Sequence, residues 1–505
     1  MDVIFVLLMK KRIVRYGTLF CLLFALFNTS ALAAPNGEFL SFDATSLSKS
    51  DGSYWVWGEG LSVPIQIYGL SDVEKSFESH LVMKKDQTVW FWERIAPSGE
   101  IKVHHVPALN NLIDVQYKMG DLLALDQEGM VYLLSAQGLL SSDRLKQIAP
   151  LSGIDNVVDI GAYWDYGHQY SVEKWAFLKK DGTVWVNRGN FPSEAFAPIP
   201  VLNDVIEIEE NIALKQDGTV WYWPNQTYNA LSDSVTAAPI TELTNIKKIK
   251  SYGKSQVAID QNASLWFWGV TYTGASDGTI RHNQIVTVKL NSIKDVEDAF
   301  VVERSLVVLT NDGNVWEASI DREAMPVNPV FDHITSGVQE IKLGARHIMM
   351  KKNDGSLWGW GVNKNGQLGS GDFEFIHLTP QRVQRPVAVY LNDEPVVMNS
   401  GVIIRNDQAF IPLRSIFEKM GAVIKWDASN KTVTISQKEP EKEPVIININ
   451  YSSGKVDLNN KPVSLSNQPF ILVSTAYLPL RFISESLGGK VDWIQDEGEI
   501  LIKMQ

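Results

Sequence analysis

Short apolar runs and polar turns alternate along most of this chain, and one combination recurs. In IALKQDGTVWYW (Ile212–Trp223) an apolar run meets Asp217-Gly218, and the β-favouring run Thr219–Trp223 follows. Asp-Gly between two such runs predicts a β-hairpin. A period of two puts Trp221 and Trp223 on one side of the second strand. Aligned on the tryptophan, the copies read SDGSYWVWG (ending at Gly58), KKDQTVWFW (Trp92), KKDGTVWVN (Asn187), KQDGTVWYW (Trp223), DQNASLWFWG (Gly269), TNDGNVWEA (Ala318) and KNDGSLWGWG (Gly361), with a weaker LDQEGMVYLL ending at Leu134. The anchors are Trp55, Trp90, Tyr132, Trp185, Trp221, Trp266, Trp316 and Trp358, at gaps of 35, 42, 53, 36, 45, 50 and 42. Segments such as DNVVDIG and TNIKKIKSYG precede the hairpins and fit further strands. Four strands per unit at this spacing predict the blades of a β-propeller, with the anchor tryptophans as blade core.

Only the last copy continues into a glycine-studded loop, LWGWGVNKNGQLGSGD (Leu357–Asp372). That stretch resembles the regulator of chromosome condensation repeat, whose pattern is an aliphatic strand, Asp-Gly, a Trp-Gly pair and Asn-x-x-Gly-Gln-Leu-Gly. The loop half matches at Asn363, Gly366, Gln367, Leu368 and Gly369, and the hairpin half in nearly every copy. The resemblance spans about residues 37–385 and implies a propeller. Eight anchors point to eight blades, whereas familiar members of the family have seven; both counts stay open here.

A second duplication follows. FIPLRSIFEKMGAVIKWDASNKTVTIS (Phe410–Ser436) is similar to YLPLRFISESLGGKVDWIQDEGEILIK (Tyr477–Lys503). Pro412 and Pro479, Arg414 and Arg481, Gly421 and Gly488, Trp426 and Trp493 all pair at an offset of 67. Each copy predicts a helix begun by Pro and closed by Gly, then two strands. Leu413, Ile416, Phe417 and Met420 form one apolar face, and Leu480, Ile483 and Leu487 its counterpart. The charged QKEPEKEP (Gln437–Pro444) predicts an exposed connection. Over residues 386–505 this pair resembles the stalk-type domain named after the N-terminal region of copper amine oxidases. The resemblance implies an extracellular α+β module, commonly appended to bacterial surface or secreted proteins. It implies neither copper nor quinone, because those belong to a separate catalytic domain; NYSS (Asn450–Ser453) lacks the acid of that domain's cofactor motif. The two arginines are expected to be structural, with Asp427 and Asp496 as partners.

The N-terminus changes the picture of where such a protein works. MKKRIVR from Met9, the apolar Tyr16–Phe27 and the small residues of Ala31-Leu32-Ala33 form an export signal over residues 1–33, cleaved near Ala33. Met1 and Met9 both fit as its start. The apolar run is shorter than the roughly 20 residues that span a bilayer, which disfavours an anchor. The only cysteine, Cys21, lies inside this segment, so the remainder has no disulfide, thiolate ligand or thiol nucleophile. Removing residues 1–33, with four basic side chains and one acidic, takes the formal charge from −12 to −15. That disfavours nucleic acid as a partner. It also disfavours nucleotide exchange on a small GTPase, the best-known role of the resembled family. The remaining length, about 470 residues, calls for two or three domains.

Candidate chemistry is sparse. None of the eight histidines falls in a metal-binding spacing, and no nucleophile elbow or phosphate loop occurs. Glu207, Glu209 and Glu210 in IEIEEN are expected on the solvated face of a strand. Twelve of the 16 tryptophans belong to the repeated hairpins, which accounts for most of the aromatic enrichment. The exception is AYWDYGHQY in the longest gap, where Tyr163, Trp164, Tyr166 and Tyr170 have no repeat counterpart; on a loop they form the candidate binding site. The competing reading packs that loop on its own blade. A polar insertion, VTYTGASDGTIRH (Val270–His282), could line the same face. The expectation is a mainly β protein: a seven- or eight-bladed propeller followed by a two-repeat α+β stalk domain. It acts as an exported, non-enzymatic binding or scaffold protein without cofactor or metal, its partner a protein or a cell-wall glycan. The alternatives are an inhibitor of a secreted hydrolase such as a β-lactamase, and a lyase or glycan hydrolase using the propeller's central face.

Overall fold

The structure is a computed structural model that describes residues 39–504 except 97–98, 119, 136–137, 166–171, 188–190, 192–194, 224–235, 275–277 and 439–442. The expected signal, residues 1–33, and the middle of the charged connection lie outside the described residues.

Eight four-stranded antiparallel sheets follow one another, each in sequential strand order. They are blades 1–8, covering residues 39–71, 73–110, 112–150, 157–198, 205–239, 246–290, 296–335 and 338–382. Apolar side chains fill each gap between neighbours. Val56, Ile65 and Ile67 of blade 1 meet Val82 and Trp92 of blade 2. Clusters of the same kind join blades 2 and 3, 3 and 4, 4 and 5, 5 and 6, 6 and 7, and 7 and 8. The eighth cluster, with Leu47 and Trp57 against Met349, Leu357 and Leu368, joins blade 8 back to blade 1. Eight blades close the ring.

The repeated Asp-Gly turn also links blades. It connects the second and third strands, and its left-handed residue offers a carbonyl to the first amide of the next blade. Thus Gly182 O accepts from Val205 N at 3.0 Å, Gly218 O from Ile246 N at 3.0 Å and Gly313 O from Val338 N at 2.9 Å. Gln87 and Ala263 take the same place at positive φ in blades 2 and 6. The turn Asp orients the rest. Asp217 Oδ1 accepts from Thr219 Oγ1 at 2.6 Å, and Thr219 Oγ1 accepts from Trp221 Nε1 at 3.1 Å. The same chain runs Asp86–Thr88–Trp90, Asp181–Thr183–Trp185 and Asp354–Ser356–Trp358. A lysine amine caps each of these rings: Lys84 on Trp90, Lys179 on Trp185, Lys215 on Trp221 and Lys352 on Trp358, at 4.6–5.0 Å.

This corrects the assignment of the anchor tryptophans to the core. Trp55 is buried, but Trp90, Trp185, Trp221, Trp266, Trp316 and Trp358 are half-buried. Where the ring bonds the turn and lies under a hydrated ammonium group, it cannot also sit at the centre of a packed gap. The second aromatic position takes that place, as Trp57, Trp92, Trp223, Trp268 and Trp360 are buried.

The unrepeated loop Asn363–Asp372 closes the ring. Gly60 N donates to Asn365 O at 2.9 Å, Trp57 Nε1 to Gln367 O at 2.8 Å, and Gly371 N to Ser62 O at 2.8 Å. Asn363, fully buried, holds the loop through Leu368 N on its Oδ1 (2.9 Å) and its own Nδ2 on Asp372 Oδ1 (2.8 Å). Gly366 (φ 78°) lies where a Cβ would meet Leu61 O at 2.4 Å, and Gly369 (φ 63°) packs on Trp57 and Val383.

Three small sheets and two short helices (Leu413–Ile416 and Leu480–Ser486) form the second domain around one core. Strand Gln408–Pro412 pairs antiparallel with Thr475–Pro479, which sets the two Pro-Leu-Arg motifs side by side. Pro412 and Pro479 begin the helices, and Gly421 and Gly488, at φ 85° and 84°, follow them. All seven predicted helix-face residues are buried in the core. The first strand, Ala388–Leu391, runs parallel to Glu499–Met504, so the domain's two ends meet. Arg414 and Arg481 do not bond Asp427 or Asp496. They are exposed and reach Glu418 and Glu485 one helical turn on, at 3.9 and 3.8 Å. Asp427 instead caps its own turn through Ser429 and Asn430.

The stalk domain sits against the rim of the ring. Ile403, Phe410 and Tyr477 pack on Val63 of blade 1, Arg94 Nη2 donates to Asn399 O at 3.0 Å, and Lys49 Nζ to Glu497 O at 2.9 Å.

Candidate functional site at the mouth of the central channel

Strands alternate direction, so the connections between first and second strands and between third and fourth strands emerge on one face. The Asp-Gly turns occupy the other. On the first face the innermost connections surround a cavity of about 830 Å3 at the channel mouth. Its lining comes from blades 1, 2, 3, 6, 7 and 8, and no stalk residue contributes.

Glu59 and His80 form its most organised part. His80 Nε2 lies 3.1 Å from Glu59 Oε2, and its ring stacks on Trp92 at 3.9 Å. The hydrogen bond from His80 holds the Glu59 carboxyl below its usual range. Ser79 and His80 are both left-handed, at φ 61° and 63°, a conformation that non-glycine residues adopt at a cost. Beside them the Tyr54 hydroxyl meets Ser76 Oγ at 3.0 Å. Across the mouth, Glu303 pairs with Arg346 through both guanidinium branches.

Below the mouth the first strands carry charge. Asp159 is on blade 4, Glu207, Glu209 and Glu210 are on blade 5, and Lys248 and Lys250 on blade 6 face Asp298 at 3.5 and 2.6 Å. The three glutamates are half-buried, which corrects their assignment to a solvated face; the strand does alternate, but its polar side looks into the ring. Burial first, then neighbouring carboxylates, pushes Glu207 up to about 7 and Glu209 to about 8; burial pushes Glu210 to about 7 and Asp159 to about 6.

The aromatic segment before Trp185 is a strand extension where a loop was expected. Val157–Asp165 pairs with Val172–Lys179 to the ends of both. Tyr163 is 5% exposed and packs edge-on against Trp223, inside the gap between blades 4 and 5, so it is no contact residue. The backbone of Trp164 pairs with Glu173. Tyr166 and Tyr170 lie outside the described residues. The polar insertion is likewise a strand extension, with Val270 to Thr273 paired to Asn283 to Ile280. Arg304 fastens it to blade 7 through Gly274 O, Thr279 Oγ1 and Asp321. Both extensions end on the channel-mouth face. His80 and Glu59 were missed because neither belongs to a repeat or a motif; the only sequence signal was position, His80 in a first-to-second strand connection and Glu59 in a third-to-fourth one. Among the described residues no three His, Cys, Asp or Glu side chains are placed to hold a metal, and no helix is long and apolar enough to cross a membrane.

Family models match two segments: the regulator of chromosome condensation (RCC1) repeat at residues 354–398 and the copper amine oxidase N-terminal domain at residues 390–502. The chain joins an RCC1-type propeller to a copper amine oxidase N-terminal domain. Among solved structures, the RCC1-type ring is similar to yeast RCC1 (Prp20) in its complex with Kap60, at 15% identity over 63% of this chain and 90% of that one, TM-score 0.42. It is also similar to Prp20p of Saccharomyces cerevisiae alone (16%, 62% and 90%, TM-score 0.40) and to human WBSCR16 (17%, 65% and 86%, TM-score 0.37). These likenesses are distant and transfer no partner to this chain.

Proposed function

We propose that the chain is an exported, non-enzymatic binding protein. Its propeller presents the channel-mouth face to a protein partner, and its stalk domain acts as a spacer or tether at the cell envelope. One observation carries this reading. The cavity at the mouth is lined by propeller residues alone, with the strained Ser79–His80 pair at its edge, while the second domain is held at the rim and leaves the face open. The signal-like residues 1–33 support export. The test is capture of partners from culture and wall fractions by the chain lacking residues 1–33, alongside a variant carrying Glu59→Gln and His80→Ala. A partner lost by the variant at unchanged melting temperature supports the reading. Equal capture by both removes the mouth from it, and a full-length chain confined to the cytoplasm removes export.

A second reading rests on the channel carboxylates. A glutamate that keeps its proton near neutral pH is suited to general acid catalysis, and Glu207 and Glu209 have that character. Turnover of an oligosaccharide that is abolished by Glu209→Gln would establish it; stoichiometric binding without turnover favours the first reading.

A further inference from the structure

The eighth Asp-Gly turn has no following blade to bond. After Arg382 the chain leaves for the stalk domain, and a Cβ on Gly355 would meet nothing within 4 Å. Between this turn and the stalk's second repeat lies a cleft of about 1280 Å3, larger than the channel-mouth cavity. Its five basic side chains outnumber its three carboxylates, Asp354, Asp407 and Glu497, whereas the chain as a whole is acidic. Lys351 and Arg382 line it from blade 8, Arg385 from the linker and Arg481 from the stalk, with the amides of Gln384 and Gln408 between them. Trp493 completes the lining, with 37% of its surface exposed. The domain core does not include this indole, and among the described residues Arg481 makes a loose contact with Glu485.

We propose that this cleft binds a carboxylate-bearing oligosaccharide, such as a uronate chain. The aromatic, basic and amide parts of the lining each match one part of that ligand. An exposed indole offers a flat apolar surface to a sugar face, as aromatic rings do in ligand sites. Guanidinium groups grip carboxylates through paired N–H donors. Side-chain amides both donate to and accept from hydroxyls. The volume exceeds the usual small-ligand range of roughly 300–1,000 Å3, which suits several linked sugar units. This site is independent of the channel mouth and would give the tethering role of the stalk domain a chemical basis.

The internal duplication supplies the control. Arg414 and Trp426 hold the equivalent places in the first stalk repeat and are also exposed, but neither lines the cleft. Titration calorimetry on the chain lacking residues 1–33 would use tetragalacturonate, neutral maltotetraose and tetraglutamate. Tetragalacturonate is expected to bind and to weaken with added salt. Trp493→Ala and Arg481→Gln should each lower its affinity tenfold or more with unchanged melting temperature, Trp493→Phe should retain part of it, and Trp426→Ala should leave it as in the wild type. No binding of tetragalacturonate overturns the proposal. So does equal binding of maltotetraose, which removes the anion, or of tetraglutamate, which removes the sugar. Equal losses from Trp426→Ala and Trp493→Ala would also overturn it, by moving the site out of the cleft.

Discussion

The indole nitrogen of Trp57 donates to the carbonyl of Gln367 at 2.8 Å, across 310 residues of chain and across the closure of the ring. All other blade junctions join neighbours in sequence; only the junction of blade 8 with blade 1, which also holds Gly60 N on Asn365 O and Gly371 N on Ser62 O, spans the whole ring. This one joins the last blade to the first, so the loop that carries Gln367 cannot degenerate as its counterparts have. Gly366→Ala places a Cβ against Leu61 O and forces a left-handed alanine, which should cost about 2 kcal/mol or more. Trp57→Phe removes the hydrogen bond but keeps most of the packing and should cost about 1 kcal/mol. Urea denaturation of both variants is the check; a Gly366→Ala protein as stable as wild type would show that the loop is not the closure.

The division of labour between the two aromatic positions of a repeat predicts an order of effects. Trp223 is fully buried between blades 4 and 5, so Trp223→Ala should cost about 3–5 kcal/mol. Trp221 is half-buried, bonded to Thr219 and capped by Lys215, so Trp221→Ala should cost less, about 2 kcal/mol. Thr219→Val breaks the link from Asp217 to the ring and should cost about 1 kcal/mol. Thermal melts of the three variants in one buffer settle the ranking, and Trp221→Ala proving the most damaging would restore the anchor position to the core.

The repeated hairpins and both fold types were legible in the sequence, because each rests on local chemistry. Asp217-Gly218 forms its turn whatever the blade neighbours do, and Pro412 and Gly421 bound their helix in the same way. What was not legible depended on partners distant in the chain. Nothing in KNGQLG indicates that Gln367 meets Trp57. AYWDYGHQY reads as a loop because its aromatics match no repeat, yet Tyr163 completes the packing around Trp223. Arg414 and Arg481 look like bidentate ion-pair formers from their duplication alone, but the helix turns them outward toward solvent. The channel mouth was hidden for the same reason: Glu59 and His80 lie in different blades and meet only when the ring is built.

The turn that links successive blades predicts a stabilising change. Five of its residues, Gly52, Gly129, Gly182, Gly218 and Gly313, are the glycines that positive φ favours, while Ala263 adopts φ 57° at the equivalent place in blade 6. Ala263→Gly relieves a strained residue and keeps its carbonyl on Val296 N at 2.9 Å, so it should raise stability by about 1 kcal/mol. Gly218→Ala should act in the opposite sense, since its Cβ would approach Asn245 Cα at 3.0 Å. Paired denaturation curves test both; destabilisation by Ala263→Gly would mean that the alanine methyl contributes more packing than its backbone loses.

The channel carboxylates predict that stability falls as pH rises. Glu207, Glu209 and Glu210 stand on blade 5 with Asp159 of blade 4 on one side and Lys248 and Lys250 of blade 6 on the other. In the folded chain they hold their protons up to about 7, 8 and 7, against an ordinary glutamate value of 4.5. Raised folded values mean that the folded state binds more protons than the unfolded state between those limits. The sign of the linkage is then fixed: unfolding releases protons, so each unit of pH through this window lowers stability, and the loss levels off above the folded values. The two lysines moderate the effect without reversing it, because burial alone is the largest cause at all three glutamates. Glu209→Gln replaces the protonated acid with a neutral amide of the same shape. It should leave stability near that of the wild type at about pH 5 and raise it at about pH 8, which flattens the profile. Denaturation midpoints of both proteins across that range decide the matter. Parallel profiles would show that Glu209 is ionised in the folded chain throughout, and that the inner strand of blade 5 is solvated after all.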